Sequence, residues 1–268
     1  MSINVVFGYS SLYPKKPKIL FIGYGHLAKS LITKELLNAS NIYAVNSKNQ
    51  LFDINKKKKL KLIKVEFKYV FILIPPLIFL DKGVEFKNFL SKNSIVISCM
   101  AGVKITTISQ KFKTRKIIRI MPNILASKQK SQTYVYSKNK KLVDTKIKKI
   151  LFSFGQIILV KKENQINLAT AIFGSGPAFI AYLISTFIKA SKSLSNPYKL
   201  DELEILKLFR NVLEMNSSPK MLNNFINSIT SKKGTTQAGI DYIKSQNFEK
   251  VMYTTLHKAY KRAKEIDN

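Results

Sequence analysis

The chain has 268 residues, 46% of them hydrophobic, enough for one large domain or two smaller ones with a real core. Lys and Arg number 46 against 15 Asp and Glu, a formal net charge of +31. The basic residues are spread along the whole chain with no RNP-type, zinc-finger or helix-turn-helix pattern, which disfavours a dedicated nucleic-acid site. Cys99 is the only cysteine, which excludes an intrachain disulfide and fits a reducing compartment.

Residues 1–17 carry Gly8, Pro14 and Pro17 and read as an extension before the first strand, with Ile3–Phe7 as an extended candidate. Ile19–Ile22 is a short apolar run of strand type. Gly23, Gly25 and Ala28 follow, and then Leu27, Leu31, Ile32, Leu36 and Leu37 at helical spacing. Strand, tight glycine turn and helix in this order make the G-x-G-x-x-A form of the dinucleotide-binding turn. Gly23 would make the turn, Gly25 would let a pyrophosphate approach the backbone, and His26 and Leu27 open the helix beside it. An ordinary strand-to-helix turn is the plainer reading of the same residues.

From there the chain alternates strand and helix. Strands are expected at 42–45, 61–65, 69–74, 94–98, 116–120, 133–136 and 157–160, and helices at 86–90, 105–112 and 144–154. After residue 163 the pattern is helical throughout: a long stretch at 165–193 interrupted by Gly174-Ser-Gly-Pro177, then 201–215, 218–229, 235–245 and 248–266. The expected fold is therefore α/β: an N-terminal doubly wound, Rossmann-type domain over 18–163 and a C-terminal all-helical domain over 164–268. Helices rich in Phe, Leu, Ile and Tyr on several faces point to a subunit interface. No apolar signal core opens the sequence, and the apolar run 69–80, which contains Pro75 and Pro76, is too short to span a bilayer. The expectation is a soluble, cytoplasmic protein without a membrane partner.

An NAD-specific turn places Asp or Glu after the second strand to accept from the ribose 2′-hydroxyl. Here Asn46, Ser47, Lys48 and Asn49 stand there, amides, a hydroxyl and a cation that suit a 2′-phosphate. They favour NADP over NAD, although a polar turn would use the same residues. Ile74 and Pro75 end one buried strand, and Ala101 and Gly102 follow the next, at the edge where a nicotinamide would lie. Cys99 reads as a core thiol, since no base accompanies it. Neither His26 nor His257 has the partners of a triad or a metal site. Met121-Pro-Asn123 holds an amide at the mouth of the sheet, Gly174-Ser-Gly-Pro-Ala178 exposes backbone N–H groups and a hydroxyl, and Ser231–Thr236 opens a helix with hydroxyls and free N–H groups suited to a carboxylate.

Taken in order, Ile22–Ala28, Ile97–Val103, Arg119–Asn123, Phe173–Phe179 and Gly234–Thr236 resemble the landmarks of the pyrroline-5-carboxylate reductase family over about residues 18–266. The resemblance implies NADPH- or NADH-dependent reduction of a cyclic imine to L-proline, on a Rossmann domain joined to an interlocked helical homodimer, often assembled into rings. Carried over by position, it places the substrate carboxylate on Ser231, Gly234, Thr235 and Thr236, supplied by the partner subunit, with Thr236 near the imine nitrogen. Gly174, Ser175 and Asn123 fall on the segments that shape the substrate pocket. The chain departs from the family pattern at Ile124 and Leu125 (usually Thr-Pro), Phe173 (usually Ser) and Lys232-Lys233 (usually Pro-Gly), and lacks the usual Gln-Thr pair in the helix 201–215. A related imine or keto-acid reductase, or a nucleotide-binding paralogue that no longer catalyses, is the alternative the same plan allows.

Overall fold

The computed structural model describes residues 16–60, 65–195 and 198–266. The extension to residue 15 and most of the strand expected at 61–65 lie outside them. The chain forms two compact units, one ending at Ala169 and taking in Lys264 onward, the other running Thr170–Ala263. The expected boundary at 163/164 falls just before the first helix of the connection, which packs with the first unit.

The first unit is built on a nine-stranded sheet: β1 (Lys18–Ile22), β2 (Asn41–Val45), β3 (Leu51–Asp53), β4 (Lys58–Leu60), β5 (Tyr69–Ile72), β6 (Ile95–Ser98), β7 (Ile117–Met121), β8 (Ser131–Tyr136) and β9 (Gly155–Leu159), in the order β4-β3-β2-β1-β5-β6-β7-β8-β9. β2, β1, β5, β6 and β7 run parallel, while the β3–β4 hairpin and β8 introduce the antiparallel pairs. The central strands are continuous apolar runs because both of their faces are covered. On β1, Ile19 and Phe21 enter one core with Phe71 and Phe154, whereas Leu20 and Ile22 enter the other with Phe79 and Phe112. Phe21 and Phe71 stack across β1 and β5 with ring centroids 4.8 Å apart.

The helices of this unit are α1 (His26–Leu31), α2 (Lys34–Ala39), α3 (Pro76–Lys82), α4 (Ile105–Phe112), α5 (Thr145–Phe152) and α6 (Asn164–Ala169). The expected continuous helix after the glycine turn is broken in two. Thr33 leaves helical geometry and its hydroxyl accepts from the Leu36 N–H, starting α2 afresh. The helix expected at 86–90 is a 3₁₀ segment over Gly83–Phe89 that follows α3, a helix started by Pro76 in its first turn.

The second unit contains a π-turn (Thr170–Gly174), then α7 (Gly176–Leu194), α8 (Glu202–Met215), α9 (Pro219–Ile229), α10 (Thr235–Ser245) and most of α11 (Phe248–Glu265). Asp201 and Ser218 cap α8 and α9 by accepting from Leu203 and Met221 N–H groups. Large apolar side chains stay exposed on every one of these helices, including Ile180, Phe187, Leu213, Ile229, Ile243 and Val251. The span Asn164–Leu194 is long and apolar enough to cross a membrane by length and composition, a property that uninterrupted apolar runs in the sequence do not reveal. Only 11% of its most apolar window is buried within the chain.

Candidate active site

β1 is the strand at which the order of the sheet reverses: β2 lies on one side and β5, the next parallel strand, on the other. Clefts form at such switch points, outside the carboxyl ends of the strands. A cleft of about 620 Å³ lies there, lined by Gly23, Tyr24 and Gly25 after β1, Val45, Asn46, Ser47 and Asn49 after β2, and Leu73, Ile74 and Pro75 after β5.

The two glycines do different work. Gly23 has φ +97°, and its N–H donates to Val45 O at 3.0 Å. A Cβ there would come within 2.9 Å of the Leu73 carbonyl carbon, so both conformation and space require glycine. Gly25 has an ordinary φ of −87° and would place a Cβ in open space. The room that its missing side chain leaves faces the start of α1, where a pyrophosphate would approach. A nicotinamide dinucleotide therefore fits the residues present.

Among the residues expected on the cofactor, the structure brings Gly23, Gly25, Asn46, Ser47, Ile74 and Pro75 to this cleft and leaves His26, Leu27, Lys48, Ala101 and Gly102 outside its lining. His26 is exposed at the start of α1, and Leu27 packs against the core. Asn46 is engaged in its own turn: its Oδ1 accepts from the Lys48 and Gln50 N–H groups, both at 3.0 Å, and its Nδ2 donates to Gln50 Oε1 at 3.1 Å. Asn49 completes that turn at φ +54°. Ile78, Lys82, Glu85 and Phe86 also line the cleft and were missed. The signal for them was Pro75-Pro76, since a proline in the first turn starts the helix that presents Ile78 and Lys82.

Asn123 is 4% exposed and caps the 3₁₀ turn after β7, its Oδ1 accepting from the Leu125 N–H at 3.0 Å. Close by, on β7, Arg119 is 1% exposed and donates through Nη1 to Glu163 Oε1 at 2.8 Å and through Nη2 to Asn167 Oδ1 at 3.3 Å. The same Glu163 oxygen accepts from the Ile105 N–H at 2.7 Å. One buried guanidinium thus ties β7, the start of α4 and α6 together. Cys99 is buried, and burial pushes its thiol well above its ordinary pKa of 9.0, which removes it as a thiolate nucleophile at neutral pH.

Of the residues expected at the substrate, all but Asn123 lie in the second unit. Ser175 N–H donates to Thr170 O at 2.9 Å, closing the π-turn that ends at Gly174, and α7 then starts with Gly176 and Pro177. Such turns recur at functional sites because they expose backbone groups. Ser231 and Gly234 close a turn in which the Gly234 N–H donates to Ser231 O at 3.0 Å. Gly234 is the N-cap of α10, and no side chain caps the N–H groups of its first turn, which include those of Thr235 and Thr236. A Cβ on Gly234 would collide with Ser231 Oγ. Lys233, in the preceding position, is left-handed at φ +61°.

A doubly wound sheet with a dinucleotide-sized cleft at its switch point, followed by a helical unit, defines a two-part oxidoreductase of the Rossmann class. The family model for pyrroline-5-carboxylate reductase dimerisation matches residues 163–266. The pyrroline-5-carboxylate reductases of Staphylococcus aureus (strain COL) and Staphylococcus epidermidis are each 28% identical to the chain, over 94% of it and 98% of their own lengths. In fold, the chain is similar to the Plasmodium falciparum pyrroline carboxylate reductase crystallised with NADP bound, with a TM-score of 0.76 at 21% identity over 95% of this chain and all of that one. The Coxiella burnetii pyrroline-5-carboxylate reductase gives 0.71 at 24% over the same shares. Residues 163–266 thus match the pyrroline-5-carboxylate reductase dimerisation family, and nearly the whole chain is similar to pyrroline-5-carboxylate reductases.

Proposed function

We infer that the protein reduces 1-pyrroline-5-carboxylate to L-proline with a nicotinamide dinucleotide, working as a soluble cytoplasmic homodimer. The observation that carries this reading is the glycine cleft at the sheet's switch point on the same chain as the Gly234–Thr236 helix start. The dinucleotide supplies a hydride when bound. What remains for the chain is alignment, because the protonated imine is already electrophilic at carbon. Gly23 and Gly25 admit the pyrophosphate. Ile74 and Pro75, with Ala101 and Gly102 after the next strand, set the position of the nicotinamide half. Thr235 and Thr236 N–H groups, with Ser231, hold the substrate carboxylate, and the Thr236 hydroxyl lies beside the imine nitrogen. Gly174 and Ser175 shape the wall of the pocket. No side-chain acid or base is required, which agrees with a site assembled from glycines, hydroxyls and backbone. NADPH is the proposed donor, since no carboxylate follows β2 to accept from a free 2′-hydroxyl. The exposed apolar faces of α7 to α11 are the proposed dimer surface, and rings of dimers are the larger assembly we expect.

The test is NADPH oxidation with pyrroline-5-carboxylate by the wild-type protein and by Thr236→Ala. Turnover by the wild type, with a kcat at least about tenfold lower in the variant, is expected from the loss of one oriented hydroxyl at the reacting centre. No turnover by folded, cofactor-binding wild type would overturn the function. An unchanged rate in the variant would overturn the role of Thr236.

A further inference from the structure

One carboxylate oxygen carries two long-range ties within the first unit. Glu163 Oε1 accepts from Arg119 Nη1 on β7 at 2.8 Å and from the N–H of Ile105, the first residue of α4, at 2.7 Å. We propose that Glu163 and Arg119 are positioning residues for hydride transfer: through that oxygen they fix both the segment on which the nicotinamide rests and the helix that leads to the substrate wall. This role rests on the imine-reductase reading of the site.

On the nicotinamide side, β6 ends at Ser98, and the Cys99 N–H still donates to Ile72 O at 3.0 Å. Ala101 and Gly102 then run through a bend in which the Val103 N–H donates to Ala101 O at 2.9 Å and Gly102 has φ +74°. The sheet holds the beginning of this segment, and its far end is the start of α4. The first N–H groups of a helix have no partner within it, and Lys104 at the N-cap offers no side-chain cap. Glu163, 58 residues along the chain, supplies the acceptor for the Ile105 N–H.

On the substrate side, Arg119 Nη2 donates to Asn167 Oδ1, and Asn167 Nδ2 donates to Asn164 Oδ1, both at 3.3 Å. Asn164 and Asn167 belong to α6, which runs without a break into the π-turn Thr170–Gly174. Any slide or rotation of α6 is therefore carried along the backbone to Gly174 and Ser175, the proposed wall of the pocket. Neither Arg119 nor Glu163 lines the dinucleotide cleft, so both act through the elements that they hold. Precision matters here because alignment is all that the reaction asks of the chain. A misplacement of about 1 Å can cost on the order of a hundredfold in rate. A guanidinium buried in the sheet, with its bonds converging on α4 and α6, can set that alignment.

Two conservative variants of the full-length protein separate position from charge. Glu163→Asp keeps the charge but withdraws the oxygen by one methylene, so it cannot reach Arg119 and Ile105 together. Glu163→Gln keeps an oxygen in place and removes the charge. Both are compared with wild type by single-turnover stopped flow with NADPH and pyrroline-5-carboxylate, and by amide hydrogen exchange without dinucleotide. Glu163→Asp should lower the single-turnover rate constant at least about tenfold at unchanged amplitude, and Glu163→Gln should recover most of it. Amplitude counts active molecules and the rate constant does not, so a defect of folding alone lowers only the first. The NADPH Kd by calorimetry should move by less than about threefold, because the pyrophosphate seat at Gly23 and Gly25 is untouched. Exchange in Glu163→Asp should quicken over both 101–106 and 164–174 and keep its wild-type pace in β1. Glu163→Asp at the wild-type rate, Glu163→Gln as slow as Glu163→Asp, a loss of amplitude alone, or exchange that quickens in fewer than both segments overturns the positioning role. Wild type that binds NADPH but turns over no substrate overturns the imine-reductase reading itself, and the positioning role falls with it.

Discussion

Gly23 and Gly25 stand two residues apart and should fail in opposite ways when substituted. Gly23→Ala forces a Cβ against the Leu73 backbone at a φ that alanine resists, so it should destabilise the fold by about 2 kcal/mol or more and weaken dinucleotide binding with it. Gly25→Ala has space and a permissive φ, so its melting temperature should match wild type while the dinucleotide Kd rises. Thermal denaturation and calorimetry on the two variants separate these outcomes. Lys233→Gly is a gain in the same currency of conformation. Relieving its left-handed φ should stabilise the protein by up to about 1 kcal/mol in urea unfolding. Cys99 sets a pH dependence. Its folded pKa is raised above the ordinary 9.0, so the neutral thiol's contribution is complete below pH 9 and is lost as pH rises past it. Stability should fall by about 1.4 kcal/mol per pH unit from this one group above pH 9. Cys99→Ala should flatten the slope of unfolding free energy between pH 9 and 10, before the buried Tyr69, also raised from 10.0, adds its own.

Among the elements, legibility followed the strength of the local pattern. α4 and α10 have the ranges expected from sequence, because each carries its apolar residues at helical spacing. The central strands were legible because burial on both faces makes them uniformly apolar. The β3–β4 hairpin was not: only Leu51 and Asp53 turn inward, and the lysines at 56–59 hide a strand whose role is to close an edge. The glycine turn was legible as a motif, whereas the engagement of Asn46 in a turn and of Asn123 in a cap depends on hydrogen bonds that residue types do not reveal. Nor did spacing connect Arg119 with Glu163, which are distant in sequence and meet across β7 and the segment before α6. Arg119→Leu leaves that carboxylate without its guanidinium and should cost about 3 kcal/mol by urea unfolding. The double change with Glu163→Leu should cost less than the sum of the single ones.

For the whole molecule, the charge and the apolar helices have to be read together. A net charge of +31 keeps copies apart at low salt, while the bare faces of α7 to α11 favour association. Ile180 is 58% exposed on α7, and a glutamate there would be desolvated in the proposed interface. Ile180→Glu should therefore halve the mass seen by light scattering, and activity should fall with it if the partner completes the substrate pocket.

The place of β1 in the sheet also bears on how the chain is made. It is the first described strand to leave the ribosome, yet both its neighbours come later: β2, and then β5, whose Tyr69 pairs with Ile19. Until residue 72 has emerged, an apolar strand with no charged residue beyond Lys18 has an unpaired edge. A nascent chain of this topology is most exposed to misassociation early in synthesis, and the lysines that crowd residues 56–59 are translated within that interval.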